Sequence, residues 1–142
     1  MNEVEKLYEN AGIKSLPTCK NCNMLDEYWS NGTYCSTCKC DKDNYECNIA
    51  NYIYPPFTAK KQIELIKWLA IRFNSDYMAY WHNEIKDVWI FRLYELTEIS
   101  SEEPYIYEGR NKDFTEALCD LFNDLWQDLT EEERRQIKDI LQ

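Results

Sequence analysis

The sequence predicts an α+β chain. A small antiparallel three-stranded sheet is packed by helices in the order α-β-β-β-α-α, and a short cysteine-rich module precedes it. Three observations lead to this. Two Cys-x-x-Cys pairs, Cys19/Cys22 and Cys35/Cys38, flank an Asn31-Gly32 turn signal. Residues 77–107 hold three short runs rich in aromatic and β-branched side chains. Amphipathic helical patterns bracket those runs on both sides.

The 142 residues are enough for one ordinary domain with a small satellite. The division is expected after residue 57, giving a 1–57 module and a 58–142 domain. The N-terminal MNEVEKLYEN is charged and has no apolar run, so no secretory signal is expected. No stretch approaches the roughly 20 apolar residues of a membrane span. The expected location is the cytoplasm, where seven cysteines point to metal or free thiols rather than disulfides.

The net charge is −10, and it is unevenly spread. Residues 113–142 hold nine acidic against three basic side chains. Such a chain is repelled by phosphates, so direct nucleic-acid binding is not expected. A partner with a basic surface is.

In order along the chain, Val4, Leu7 and Tyr8 recur at helical spacing within 3–10, and Ala11-Gly12 closes that helix. The cysteine block follows. A CxxC knuckle is a tight turn that aims two thiolates at one ion, and two knuckles complete a tetrahedron. Asn-Gly supplies the positive-φ pair of a type I′ turn, so the insert between the pairs is expected to be a β-hairpin. The metal is expected to be one structural Zn²⁺ held by Cys19, Cys22, Cys35 and Cys38 in a zinc-ribbon-like module. Cys40 is an alternative fourth ligand, and Cys47 another if the second knuckle is irregular. Four thiolates leave no open position, so this zinc would hold structure rather than catalyse.

Tyr52 to Phe57 is expected to be an extended connector stiffened by Pro55 and Pro56. Thr58 is a good N-cap for a helix running to Phe73. Ile63, Ile66, Ala70 and Phe73, joined by Leu65 and Leu69, mark its core side. Strands are expected at 77–82, at 88–96 and at 105–107, the last ended by Gly109. Asp113 with Glu116 forms a capping-box pattern that opens a helix to Leu129. Its core stripe is Phe114, Leu118, Leu121, Phe122, Leu125 and Leu129. Thr130 with Glu133 opens the final helix, 131–141.

Chemistry-bearing constellations are few. His82 has no nucleophile in any recognisable motif, and Cys119 reads as a partly buried inert thiol. No phosphate-binding or metalloprotease motif is present. The chain is not expected to be an enzyme. One feature stands out. Asp113, Glu116, Asp120, Asp124 and Asp128 cluster on one side of their helix, about 6 Å apart along its axis where the spacing is four residues. That is close to the roughly 6–7 Å between phosphates on a nucleic-acid strand, so this face suits a basic groove. Glu116, Asp120, Asp124 and Asp128 are therefore the expected partner-binding residues. The plainer reading is a solvated helix face.

The segments YPPFTAKKQIELIKWLA (54–70) and YEGRNKDFTEALCDLFNDLW (107–126) resemble small acidic proteins encoded by phages and prophages of Gram-positive bacteria. In these a Cys-bearing segment precedes a compact α-β-β-β-α domain. In size, charge and cysteine module the chain is also similar to zinc-containing anti-CRISPR proteins. That likeness implies direct binding to a host RNA-guided CRISPR nuclease, or to another basic nucleic-acid-binding protein, with nucleic-acid loading blocked. The alternative is a phage zinc-ribbon adaptor in transcription or replication. The α-β-β-β-α order also looks like a double-stranded-RNA-binding domain. The chain departs from that pattern where the lysines should stand: Asp113 and Glu116 open the long helix instead.

Overall fold

The computed structural model describes residues 1–18, 29–30, 34–35, 51–74, 77–94 and 106–142. The chain divides into two compact units, Met1–Ile13 with Pro56–Gln142, and Lys14–Pro55. The first helix, α1 (Glu3–Asn10), therefore groups with the larger unit and not with the cysteine module, against the expected division after residue 57. Leu7 and Tyr8 of this helix are fully buried, and Glu3 N–H donates to the Glu116 carboxylate of the larger unit.

The smaller unit contains β1 (Leu16–Thr18), β2 (Trp29–Ser30), β3 (Tyr34–Cys35) and β4 (Asn51–Ile53). β2 and β3 pair antiparallel, with Trp29 opposite Cys35 and Ser30 opposite Tyr34. These are the arms of the hairpin expected between the two CxxC pairs. β1 and β4 form a second antiparallel pair, with Thr18 opposite Asn51. Tyr52 and Ile53 of the expected connector therefore belong to a strand. In a two-stranded ladder both strands are edges, and an edge strand tolerates Pro17. The pairing brings residue 51 back beside residue 18, so the cysteine segment leaves and returns at one point.

The larger unit contains α1, α2 (Ala59–Phe73), β5 (Met78–Asn83), β6 (Val88–Leu93), β7 (Tyr107–Asn111), α3 (Phe114–Leu125) and α4 (Glu131–Leu141). A 3₁₀ turn, Trp126–Asp128, links the last two helices. The three later strands form one antiparallel sheet in the order β5-β6-β7. The expected α+β order is thus observed in this unit.

Local chemistry sets the helix ends. The Thr58 side chain accepts from Lys61 N–H at the start of α2. At its end Asn74 takes φ 65° and ψ 127°, a positive-φ conformation outside the left-handed helical region, which breaks the helical course. Thr130 and Glu133 form the reciprocal capping box at the start of α4, and Arg72 of α2 pairs with the same Glu133 carboxylate. The expected box at Asp113 is only half made. Asp113 accepts from Glu116 N–H, but the Glu116 carboxylate goes elsewhere.

Three expectations need correction. Ile63 is 53% exposed, and the buried side of α2 is carried by Leu65 and Leu69. The long helix stops at Leu125, so Asp128 lies in the 3₁₀ turn. The third strand runs through Gly109 rather than ending there. A Cβ on Gly109 would overlap the carbonyl oxygen of Ala117 and the backbone nitrogen of Leu121, and would lie 2.9 Å from Leu121 Cα. The glycine marks the place where α3 crosses the strand backbone to backbone.

The core sits where α3 lies over the sheet. Phe91, Leu93, Leu118, Leu121 and Phe122 are fully buried. Phe114 packs its ring against Trp89, Phe91 and Tyr80. Leu69 and Ile137 are also fully buried.

Candidate partner-binding face

Strand β7 is one edge of the sheet, and α3 determines what that edge shows. β6 pairs with β7 through Leu93 opposite Tyr107, Phe91 opposite Gly109 and Trp89 opposite Asn111. The amides of the intervening residues, Glu108 and Arg110, point away from the sheet. Unpaired, they would be a template for another strand. They are not unpaired. Asp124 Oδ2 accepts from Glu108 N–H at 3.0 Å, and Asp120 Oδ2 accepts from Arg110 N–H at 2.9 Å. Asp128 Oδ2 accepts from the Tyr107 hydroxyl at 2.6 Å.

The fit is a match of two periods. Outward amides on a strand recur every second residue, roughly 6.6–6.8 Å apart. Carboxylates at i and i+4 on a helix recur about every 6 Å. A helix running antiparallel to an edge strand can therefore seal successive amides with successive aspartates. Gly109 lets α3 come close enough for short Asp side chains to reach.

The row continues toward the N-terminus of α1. Glu116 Oε2 accepts from Glu3 N–H at 2.7 Å, one of the four amides a helix leaves open at its start. Asn123 Nδ2 donates to Glu3 O and to Glu3 Oε2, both at 2.9 Å. These bonds fasten α1 along α3.

The electrostatics follow from crowding. Burial, and then the nearby Glu3 charge, raise the pKa of Asp120, although the Arg110 amide works the other way. Burial pushes Glu3 up too, but hydrogen bonds from Lys6 and Asn123 outweigh it and hold Glu3 below the usual carboxylate range. The signs are opposite in stability. The folded state holds the Asp120 proton more tightly, so this group's contribution declines as pH rises from the usual carboxylate range to its raised value. Glu3 contributes above the usual range and loses that contribution as pH falls. Burial, then the bonded Asp128 carboxylate, push the Tyr107 phenol up to about 12, so Tyr107 stays a donor at neutral pH.

No protein-family model, curated protein or solved structure matches this chain.

Glu116, Asp120, Asp124 and Asp128 do lie in one row, as their spacing implies. What spacing did not reveal is that each already holds a hydrogen bond within the protein. Asp124 and Asp128 are exposed and Asp120 is half-buried, and among the described residues none of the three forms an ion pair. A hydrogen bond to an amide fixes a carboxylate without cancelling its charge. The row is therefore a positioned line of negative charge.

Of the expected metal ligands, Cys35 lies in β3. Cys19, Cys22 and Cys38, with Cys40 and Cys47, lie outside the described residues. Cys119 is fully buried, and burial followed by the surrounding carboxylates pushes its thiol far up, so it is inert. His82 Nε2 sits 3.1 Å from Asp87 Oδ1, with its ring against Trp89, at the hairpin end of β5. No acyl- or phosphoryl-transfer nucleophile stands beside it among the described residues.

Proposed function

We propose that the protein is a phage-encoded, zinc-containing inhibitor of host defence. In this reading it acts in the host cytoplasm, binds an RNA-guided CRISPR nuclease directly, and occupies a basic channel that would otherwise take guide or target nucleic acid. It is not an enzyme. The observation that carries the reading is the row Asp120, Asp124 and Asp128, held in place by internal hydrogen bonds and without ion-pair partners among the described residues. A rigid row is a better mimic of a phosphate backbone than a flexible acidic tail, because less side-chain freedom is lost on binding. Electrostatic complementarity of this kind favours fast association and weakens with salt.

The test separates charge from fold. Asp124→Asn with Asp128→Asn keeps an acceptor oxygen at each position and removes both charges. The wild-type protein is expected to co-purify with a susceptible RNA-guided nuclease and to suppress target cleavage. The double variant is expected to bind roughly tenfold more weakly or worse, about 1.4 kcal/mol, with an unchanged circular dichroism spectrum. Undiminished cleavage by a panel of such nucleases at large molar excess of wild type contradicts the reading.

We further propose that Cys19, Cys22, Cys35 and Cys38 hold one structural zinc, with Cys40 as the alternative to Cys38. The two CxxC pairs and the β2–β3 arms between them support this. Elemental analysis is expected to find one zinc per chain. Cys19→Ser or Cys22→Ser is expected to release it and to unfold the smaller unit. A metal-free wild type with an intact β2–β3 hairpin contradicts the assignment.

A further inference from the structure

The two edges of the sheet are treated differently. β7 is sealed by α3. β5, the other edge, has no such seal among the described residues. Tyr94 N–H donates to Tyr77 O at 2.9 Å, and the register continues as Met78 opposite Leu93 and Ala79 opposite Arg92. In an antiparallel ladder the bonded pairs alternate. Ala79, Trp81 and Asn83 therefore turn their backbone groups toward β6, while Met78, Tyr80 and His82 turn theirs outward. Among the described residues, nothing bonds to those outward groups.

Natural edge strands are protected by proline, by lysine, by bulges or by a covering element. β5 reads Met-Ala-Tyr-Trp-His-Asn, with no proline, glycine or formal charge, in a chain of net charge −10. Its ladder to β6 is continuous through all six residues.

We propose that β5 is a dimerisation edge and that its occupant is β5 of a second copy of this chain. Three features select that partner. The outward residues are a symmetric set centred on Tyr80, so a two-fold axis there pairs Tyr80 with Tyr80 and Met78 with His82, each pair exchanging two backbone hydrogen bonds. On the opposite face the same axis sets Ala79 against Trp81, small against large. Like-charged chains can meet only along an uncharged strip, and β5 is one. Sealing of β7 then has a consequence for assembly. Among the described residues of the three-stranded sheet, β5 is the one edge left open, so pairing through this sheet closes at two copies and does not propagate into a filament. This dimer is independent of the nuclease-binding reading.

Tyr80 is the residue to change, because it faces itself across the axis. It is 51% exposed and stacks on Phe91. Like charges directly opposite in an antiparallel pair destabilise it, and opposite charges restore it. In sedimentation velocity over a concentration series, the wild-type chain is expected to run as a monomer–dimer equilibrium. Tyr80→Lys and Tyr80→Glu, each alone, are expected to weaken dimerisation at least tenfold. An equimolar mixture of the two is expected to recover a dimer. In the wild type, amide exchange at Tyr80 and His82 is expected to slow as concentration rises, a readout that needs no variant. A wild type that stays monomeric to about 1 mM overturns the proposal. So does a Tyr80→Lys protein that dimerises as well as wild type, or amide exchange at Tyr80 and His82 that is independent of concentration.

Discussion

Replacing Gly109 with alanine is expected to cost about 3 kcal/mol and to lower the thermal midpoint of the larger unit by roughly 12–20 °C. The added methyl would overlap the Ala117 carbonyl oxygen and the Leu121 nitrogen, both main-chain atoms of α3. A flexible side chain can swing away, but a helix backbone can only retreat as a whole. Retreat would lengthen the bonds from Asp120 and Asp124 to β7 and loosen the packing of Leu118, Leu121 and Phe122 against the sheet. Gly12 is the useful comparison. It has φ 74°, but the nearest atom to an added Cβ is the end of the Lys138 side chain at 4.0 Å. Gly12→Ala therefore brings backbone strain without overlap and is expected to cost about 1 kcal/mol. Thermal unfolding of the two variants side by side checks the ranking. Equal losses would mean that the α3–β7 approach is not as close as described.

Removing the seal on β7 is the second large effect. In Asp120→Ala with Asp124→Ala, the amides of Glu108 and Arg110 lose their acceptors. Water reaches this edge, so the stability loss is expected to be modest, roughly 1–2 kcal/mol for the pair. Relief of the repulsion around Asp120 offsets part of it. The local effect is larger. Exchange of those two amides is expected to quicken by a factor on the order of 30, because a hydrogen-bonded edge amide becomes a solvent-facing one. A newly open second edge also removes the barrier to end-to-end strand pairing, so this variant is expected to form larger assemblies at high concentration. Asp120→Asn with Asp124→Asn keeps both acceptors and is expected to do neither.

Much of the larger unit was legible in the sequence. Caps at Thr58, Asp113 and Thr130 act through their own local hydrogen bonds, so a few residues suffice to see them. The α-β-β-β-α-α order followed from periodicity for the same reason. What could not be read was pairing between distant segments. Gly109 looks like a strand terminator until α3 is known to cross it. Ile63 looks like core because its spacing is helical, yet the side of α2 that is buried depends on where the sheet lies. β1 and β4 are three residues each, and β1 carries Pro17, so neither shows as a strand until the two are paired.

The acidic row illustrates the same limit. Its residues and spacing are visible in the sequence, where aspartates at every fourth position fit either a partner surface or a solvated helix face. The spacing fits a nucleic-acid backbone and an edge strand about equally well. Only the position of β7 reveals that the first partner of Asp120 and Asp124 is the chain's own backbone. The two roles are compatible, since the bonds that seal the strand also fix the charges. They do change which substitutions are informative. Charge reversal would break the edge and the surface together, whereas asparagine separates them.

Residue-resolved amide exchange of the wild-type protein tests most directly whether this row seals the sheet. Glu108 and Arg110 face away from β6 and would exchange quickly on an open edge. With Asp124 and Asp120 as acceptors, they are expected to be protected nearly as well as the ladder amides of Gly109 and Asn111, and to lose that protection in Asp120→Ala with Asp124→Ala. Fast exchange of Glu108 and Arg110 in the wild type would contradict the account.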